Sequence, residues 1–358
     1  MDLSRLVLLW LVLVAFFVSA PAFAQVSDGE IVVLEQGGYG FPAALIGIDP
    51  VTGTQTVLSS GALLAPGMPC GFAYDAARGM FWVVDRAGNL IEVNASTGSQ
   101  SLVDQLGSAK WSVAVESDGN LLVADTNNGN LARIDPTTLS VSTLAQGGFL
   151  SNGSYVELDS TGAPIVSTFG GSNVVRVDPV TGAQTLIAHL DSAQCLRDFA
   201  VQGDTAFIAT FSTDAEVDKL DLTTGQFTTY FCGFSSGLLD VDLDSQGRMV
   251  ILDQSGLAGR RAPVVYRSSS SGGLDVLSTS GHMFAPSQLL IIASSSPPAP
   301  PTTSGDRQRR PRRWTVWPGG RRRLSRAAWA PNWLRSCRCC CGSAVGGGAS
   351  RRKRIQSV

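Results

Sequence analysis

The stretch Gly119-Asn120-Leu121-Leu122-Val123-Ala124-Asp125, followed after a turn by Leu131-Ala132-Arg133-Ile134-Asp135-Pro136, decides the fold. Asn120 to Ala124 and Leu131 to Ile134 are short β-rich runs, too brief for helices and bounded by turn formers. Trp111 to Val115 precedes them across the turn Glu116-Ser117-Asp118-Gly119, and Val141 to Leu144 follows. Asp and Pro preset a turn and Gly supplies positive φ, so the four runs read as four strands joined by tight hairpins. Asn127, Asn128 and Asn130 belong to the same turn chemistry.

The unit recurs. Ile48-Asp49-Pro50-Val51-Thr52-Gly53 and Val177-Asp178-Pro179-Val180-Thr181-Gly182 are full copies of its hairpin marker. Val93-Asn94-Ala95-Ser96-Thr97-Gly98, Ile134-Asp135-Pro136-Thr137-Thr138 and Leu220-Asp221-Leu222-Thr223-Thr224-Gly225 are degenerate copies, and a worn one spans residues 266–273. With Asp49, Asn94, Asp135, Asp178, Asp221 and Arg267 as marks, the steps are 45, 41, 43, 43 and 46 residues. Four antiparallel strands at this period make a propeller blade. The first repeat, residues 29–58, has three strands, and the missing innermost one follows the last repeat as Ser287 to Ile292. Pairing the two ends leaves no exposed sheet edge. The expectation is an all-β, six-bladed β-propeller of four-stranded blades, closed by its N- and C-terminal strands.

On these residues, Gly119 to Asn128 with Arg133-Ile134-Asp135-Pro136, the chain resembles an NHL-type repeat protein over residues 29–293. Similar repeats occur in the wider six-bladed group that includes gluconolactonase-like and virginiamycin B lyase-like proteins. The resemblance implies the fold; propellers carry many unrelated activities. It also implies two candidate chemistries. One is a metal ion at the channel mouth polarising a lactone, the other a lyase with a histidine base near a metal.

The innermost strands begin Cys70-Gly71-Phe72, Trp111-Ser112-Val113, Ser154-Tyr155-Val156, Arg197-Asp198-Phe199 and Leu239-Asp240-Val241, with Ser287-Gln288-Leu289 closing the ring. Second and fourth positions share one side of a strand and are small in most blades, yet Glu157, Asp198, Asp240 and Asp242 occupy them in three. A buried carboxylate needs a cation, a basic partner or water. Converging oxygens suit Ca²⁺; the competing explanation is a wet channel in which Arg197 and Lys110 neutralise the acids. Lys110, Trp111, Arg197 and Gln288 are expected on the rim as binding residues. His282, just before the closing strand, is the weak catalytic candidate, with His189 the only other histidine. Glu30 and Glu35 lack the Glu-Gly-Pro context of the lactonase metal ligand, and no Ser/His/Asp signature of nucleophilic hydrolysis occurs. Glu35, Asp85, Asp125 and Asp253 recur after second strands and read as turn residues, as Arg133, Arg176 and Lys219 read as structural.

Cys70, Cys195 and Cys232 lead into innermost strands. An oxidising compartment would favour a Cys195–Cys232 disulfide with Cys70 free, although three pairings exist on sequence alone.

The two signs of charge are segregated. Residues 306–358 hold 15 basic residues and one acid, leaving residues 1–305 with 12 basic and 28 acidic ones. So acidic a body excludes general nucleic-acid binding through the propeller. Residues 1–24 read as a signal peptide, with Arg5, an apolar run from Leu6 to Val18 and an Ala22-Phe23-Ala24 cleavage site, so that the mature chain begins at Gln25. The propeller takes residues 25–293, a Pro/Ser-rich linker 294–305, and a basic tail 306–358. Read with the frame displaced, the Cys337-to-Cys341 run turns apolar and is followed by arginines, like a frameshifted surface-sorting anchor. The other reading is a disordered basic tail. The address is secreted or surface-anchored, with membrane contact only through that anchor in its true frame. Two function classes fit: a non-catalytic module binding a protein or small ligand on one rim, and a metal-dependent lactonase or lyase at the channel mouth.

Overall fold

A computed structural model describes residues 26–292, except 39, 169–171, 191–194, 212–214, 235–236 and 255–261. The leader, linker and tail read from the sequence lie outside the described residues. Among the described residues no helix is long and apolar enough to cross a membrane.

The strands form six four-stranded antiparallel sheets. Blade 1 is β1 (Ile31–Glu35), β2 (Ala44–Ile48) and β3 (Gln55–Ser60) with the last strand, β24 (Pro286–Ile291), innermost. Blade 2 is β4 (Pro69–Asp75), β5 (Met80–Asp85), β6 (Asn89–Asn94) and β7 (Gln100–Gln105). Blade 3 is β8 (Ser112–Val115), β9 (Leu121–Asp125), β10 (Asn130–Asp135) and β11 (Ser140–Gln146). Blade 4 is β12 (Gly153–Leu158), β13 (Pro164–Thr168), β14 (Asn173–Val177) and β15 (Gln184–His189). Blade 5 is β16 (Cys195–Gln202), β17 (Thr205–Phe211), β18 (Val217–Asp221) and β19 (Phe227–Phe231). Blade 6 is β20 (Leu238–Leu243), β21 (Met249–Asp253), β22 (Val264–Ser268) and β23 (Leu274–Thr279). The chain is a six-bladed β-propeller.

Closure follows the expected pairing, with Ile31 opposite Ile291 and Val33 opposite Leu289. Glu35 reinforces it, its carboxylate accepting the N–H groups of Phe284 (2.7 Å) and Ala285 (2.8 Å) in the connection into β24. Each apolar cluster spans two neighbouring blades. Leu34 and Leu45 meet Phe72 and Phe81 between blades 1 and 2, while Ile31 and Ile46 meet Val250 and Leu252 between blades 1 and 6. A blade therefore buries its faces only in the assembled ring.

The hairpin marker has a double purpose. Asp49 Oδ1 accepts the N–H groups of Val51 (2.9 Å) and Thr52 (2.6 Å), and Asp178 repeats this with Val180 (2.9 Å) and Thr181 (2.7 Å). Gly53 and Gly182 have positive φ, and a Cβ on either would strike the carbonyl oxygen of Leu277 or Leu144 in the preceding blade. The two unworn copies carry a further contact. Pro179 O accepts from Arg133 Nη2 (2.9 Å) and Pro50 O from Arg267 Nη1 (2.5 Å), so an arginine of the preceding blade clasps each turn. This corrects the register of the worn sixth copy. Arg267 pairs with Val250 as Arg133 pairs with Leu122; it is the equivalent of Arg133. Ser269 takes the Asp place, its N–H bonded to Gly273 O at 2.9 Å.

Candidate functional site

The innermost strand of each blade has one edge with no neighbouring strand, and its N–H groups need acceptors. Side chains at the second position of one blade supply them to the third residue of the next. Ser112 Oγ accepts from Val156 N at 3.3 Å, Gln288 Oε1 from Phe72 N at 2.7 Å, and Asp240 Oδ2 from Leu289 N at 2.7 Å. The fourth position does the same where Asp242 Oδ2 accepts from Ile291 N at 2.7 Å. Asp198 Oδ2 instead accepts from Gln288 Nε2 at 2.6 Å. The remaining oxygens accept the N–H of the following residue: Phe199 for Asp198 (3.0 Å), Val241 for Asp240 (2.6 Å) and Leu243 for Asp242 (2.7 Å).

Both oxygens of each aspartate are therefore engaged, one holding blades together and the other within its own strand. Burial is the main cause that drives their pKa values up. Asp198 rises to about 7 and Asp242 to about 6, while Asp240, further raised by Asp198, lies well above the carboxylate range. Glu157 is raised by burial and then by Asp198 and Asp242. Among the described residues no group of three or more His, Cys, Asp and Glu side chains is arranged to hold a metal ion.

Of the two cations expected to neutralise these acids, Lys110 is engaged elsewhere, whereas the charge of Arg197 offsets part of the rise at Asp198. Lys110, 4% exposed, donates to Asp125 Oδ2 (2.7 Å) and Ser108 Oγ (3.1 Å) and is not presented to the rim. Gln288, also 4% exposed, lies inside the channel. Arg197 donates through Nη1 to the Tyr155 hydroxyl (3.0 Å), and its guanidinium lies over the Phe211 ring, 4.7 Å from the centroid. Trp111 is half-buried and carries Arg86 on its face at 4.9 Å. The acids after second strands are turn residues: Asp85 accepts from Asn89 N (2.8 Å) and Nδ2 (2.7 Å), and Asp125 from Asn128 Nδ2 (2.8 Å).

His282 is not brought to the acids. It is exposed and lines a shallow groove of 450 Å³ with Gly53, Gln55, Val276 and Ser278, along the outer strands β3 and β23. Its backbone N–H donates to Gln55 Oε1 at 2.7 Å. His189 ends outer strand β15 and contacts Asn173 Oδ1 at 2.7 Å. Cys70 is a free, buried thiol whose pKa burial raises. The Cys195–Cys232 pairing depends on the Cys195 side chain, which lies outside the described residues.

Sequence reading passed over Arg86. It lies in the β5–β6 connection, on the face where innermost strands begin, its N–H fixed by Gly67 O at 3.0 Å. Its Nε donates to Cys70 Sγ at 3.3 Å, and its side chain is exposed. Around the same mouth stand Trp111, Tyr155, Arg197 and Phe211, and at the blade 1 seam Phe41 stacks on Phe284 at 4.5 Å. The one available signal was Arg86 as a cation in a connection where blades 1, 3, 4 and 5 carry none.

No known family matches the sequence, and no curated protein does. Solved structures match the fold. A chain of the nidogen/laminin complex aligns with a TM-score of 0.59 at 9% identity, over 74% of this chain and 98% of that one. A streptogramin B lyase aligns with a TM-score of 0.52 at 10% identity, over 71% and 85%. Virginiamycin B lyase from Staphylococcus aureus aligns at 0.47 and 12% identity, over 59% and 69%.

Proposed function

We propose that this chain is an exported or surface-displayed recognition module that binds a protein or small ligand on the face where the innermost strands begin. One observation carries the reading. The channel acids spend their oxygens on the ring's own N–H groups, whereas the rim above them offers a half-buried indole, an exposed guanidinium and exposed aromatic rings. Aromatic and arginine side chains are the groups that dominate recognition surfaces. The nidogen/laminin neighbour is a propeller chain within a protein complex, which fits a protein partner in general.

A lactonase or lyase at the channel mouth draws less support, because three of the four candidate metal ligands, Asp198, Asp240 and Asp242, already accept two hydrogen bonds each and His282 lies along an outer groove. The reading is tested by screening the exported chain against immobilised peptides, glycans and extracellular matrix proteins, beside a Trp111→Ala variant and a Val276→Ser variant of the outer strand. Binding lost only in Trp111→Ala is expected. Binding lost only in Val276→Ser, or turnover of a lactone by the wild type, would overturn it.

A further inference from the structure

The outer strand of a propeller blade is a sheet edge, and its unpaired N–H and C=O groups invite another strand. Four of the six outer strands are covered by the following blade in one or both of two ways. A turn glycine packs on the edge: Gly53 on Leu277 O of β23, Gly182 on Leu144 O of β11 and Gly225 on Ile187 O of β15, while Gly98 O accepts from Ser59 Oγ of β3 at 2.7 Å. A glutamine then reaches past the strand's end. Gln55 Nε2 donates to Ser280 O (2.9 Å), Gln100 Oε1 accepts from Leu63 N (2.8 Å) and Gln184 Nε2 donates to Gly147 O (3.1 Å).

Among the described residues β7 and β19 receive neither cover. Beside β7 the blade 3 turn places Leu139, at positive φ, where the glycine stands elsewhere, and Val141 where the glutamine stands. Beside β19 the blade 6 turn is one residue shorter, closing from Ser269 N to Gly273 O where blade 1 closes from Asp49 N to Thr54 O. No group beyond its chain neighbours lies within 4 Å of the Cβ position of Gly272, and Leu274 replaces the glutamine.

The two uncovered edges differ in charge. β7 carries Asp104, and a charge on an edge opposes pairing. β19, Phe227-Thr228-Thr229-Tyr230-Phe231, carries none, and its three central residues are exposed, Tyr230 at 52%. The bulge at Tyr230 recurs in all six outer strands and does not set β19 apart. Asp221 N donates to Gln226 O at 3.0 Å, which turns Gln226 toward β18. By the alternation of an antiparallel pair, the backbone groups of Phe227 and Thr229 then point outward.

The strand also reads almost the same in both directions. When identical strands pair antiparallel about a two-fold axis, each must complement its own sequence reversed. About Thr229, Phe227 meets Phe231, Thr228 meets Tyr230 and Thr229 meets its own counterpart. Aromatic and Thr–Thr pairs of this kind stabilise sheets, and no like charges are opposed. We propose that β19 is a self-association edge, on which β19 of a second copy of this chain pairs antiparallel and joins two blade 5 sheets into one. The proposal is independent of the rim reading, because β19 is the outermost strand of its blade. A pair of five-residue strands buries less than the roughly 1,000 Å² of a durable interface, so the dimer is weak and reversible.

Sedimentation equilibrium of the full exported chain should show a monomer–dimer equilibrium with a Kd of about 1–100 µM. Thr228→Glu faces Lys219 within its own sheet but sets two carboxylates beside the two-fold axis, and should weaken the dimer about tenfold or more. Val141→Glu on β11, an edge that Gly182 covers, should leave it unchanged; melting temperatures certify that both variants fold. Hydrogen exchange needs no variant: the amides of residues 227–231 should exchange more slowly as protein concentration rises. A chain that stays monomeric up to about 100 µM, a dimer indifferent to Thr228→Glu, or equal weakening by Val141→Glu would overturn the proposal. So would exchange in β19 that does not change with concentration. Protection of β19 only when a ligand from the rim screen is added would also overturn it, and would give this edge to an extended segment of a partner.

Discussion

Gln288 Nε2 donates to Asp198 Oδ2 at 2.6 Å, joining the closing strand of blade 1 to the innermost strand of blade 5. The same amide accepts Phe72 N–H through Oε1 at 2.7 Å, so one side chain ties blades 1, 2 and 5. Replacing it by Leu leaves the Phe72 N–H and one buried oxygen of Asp198 without their partners, at about 1–3 kcal/mol each. In a domain of this size each kcal/mol lowers the melting temperature by roughly 2–4 °C. Thermal unfolding of Gln288→Leu should show that loss. Gln288→Glu sets two carboxyl groups against each other and should melt lower at pH 8 than at pH 5.

The channel acids give the ring an unusual pH response. Asp198 near 7, Asp242 near 6 and Asp218 near 6 in the outer sheet, the last raised by burial and then by Glu216, hold protons that the unfolded chain releases near pH 4. Stability from these groups is therefore greatest at low pH and falls as pH rises through about 6–7. Asp49, Asp135, Asp178 and Asp221 work the other way. Turn hydrogen bonds lower their pKa values, and their contribution is lost as pH falls below the ordinary carboxylate range. Urea unfolding should give a maximum between roughly pH 4 and 6 and a decline toward pH 8. Asp198→Asn should flatten that decline; a steady rise in stability up to pH 8 would contradict the assignment.

Closure and the arginine clasps can be weighed separately. Removing residues 286–293 takes away β24 and exposes the edge of β1, and the product should aggregate or fail to fold. Arg267→Ala removes the hydrogen bond to Pro50 O between blades 6 and 1. It should cost about 1.5–3 kcal/mol in urea unfolding, as for other charge-assisted bonds. Lys219→Ala on an outer strand should stay within about 0.5 kcal/mol.

The fold was legible because its signals are local and repeated. Asp49 and Asp178 bind their own turns, and Gly53 and Gly182 must lack a Cβ, so the markers survive in sequence. The closing strand was readable from the strand missing at the other end. The worn turn misled by two residues, since Arg267 has the chemistry of a clasp and Ser269 gives no Asp signal. The site was half legible. The inner-strand acids were found, but Asp240 and Asp242 bind backbone N–H groups of another blade, which no side-chain pattern announces. Lys110 looked like a channel cation because its partner Asp125 lies 15 residues away at the end of β9. Arg86 was invisible because its role comes from Trp111 and Cys70, which reach it only across blades and strands.

The cysteines allow an independent check of the environment. Cys70 Sγ lies buried beside Arg86, and burial raises its pKa. Alkylation of the native chain at pH 8 should be slow at Cys70 and become rapid on unfolding. We further propose the Cys195–Cys232 disulfide, which peptide mapping should find only before reduction. A cross-linked peptide containing Cys70 would refute it. N-terminal sequencing of the exported chain should begin at Gln25.

In the proposed function Asp198, Asp240 and Asp242 hold the ring together and recognition belongs to the rim. The melting temperature of the exported chain with 1 mM Ca²⁺ and with EDTA tests it most directly, because a ligand held by the native state must raise that temperature. The two values should coincide within about 1 °C, below the roughly 2–4 °C that 1 kcal/mol would produce. A saturable Ca²⁺-dependent rise that disappears in Asp240→Asn would contradict it and return the channel mouth to metal chemistry.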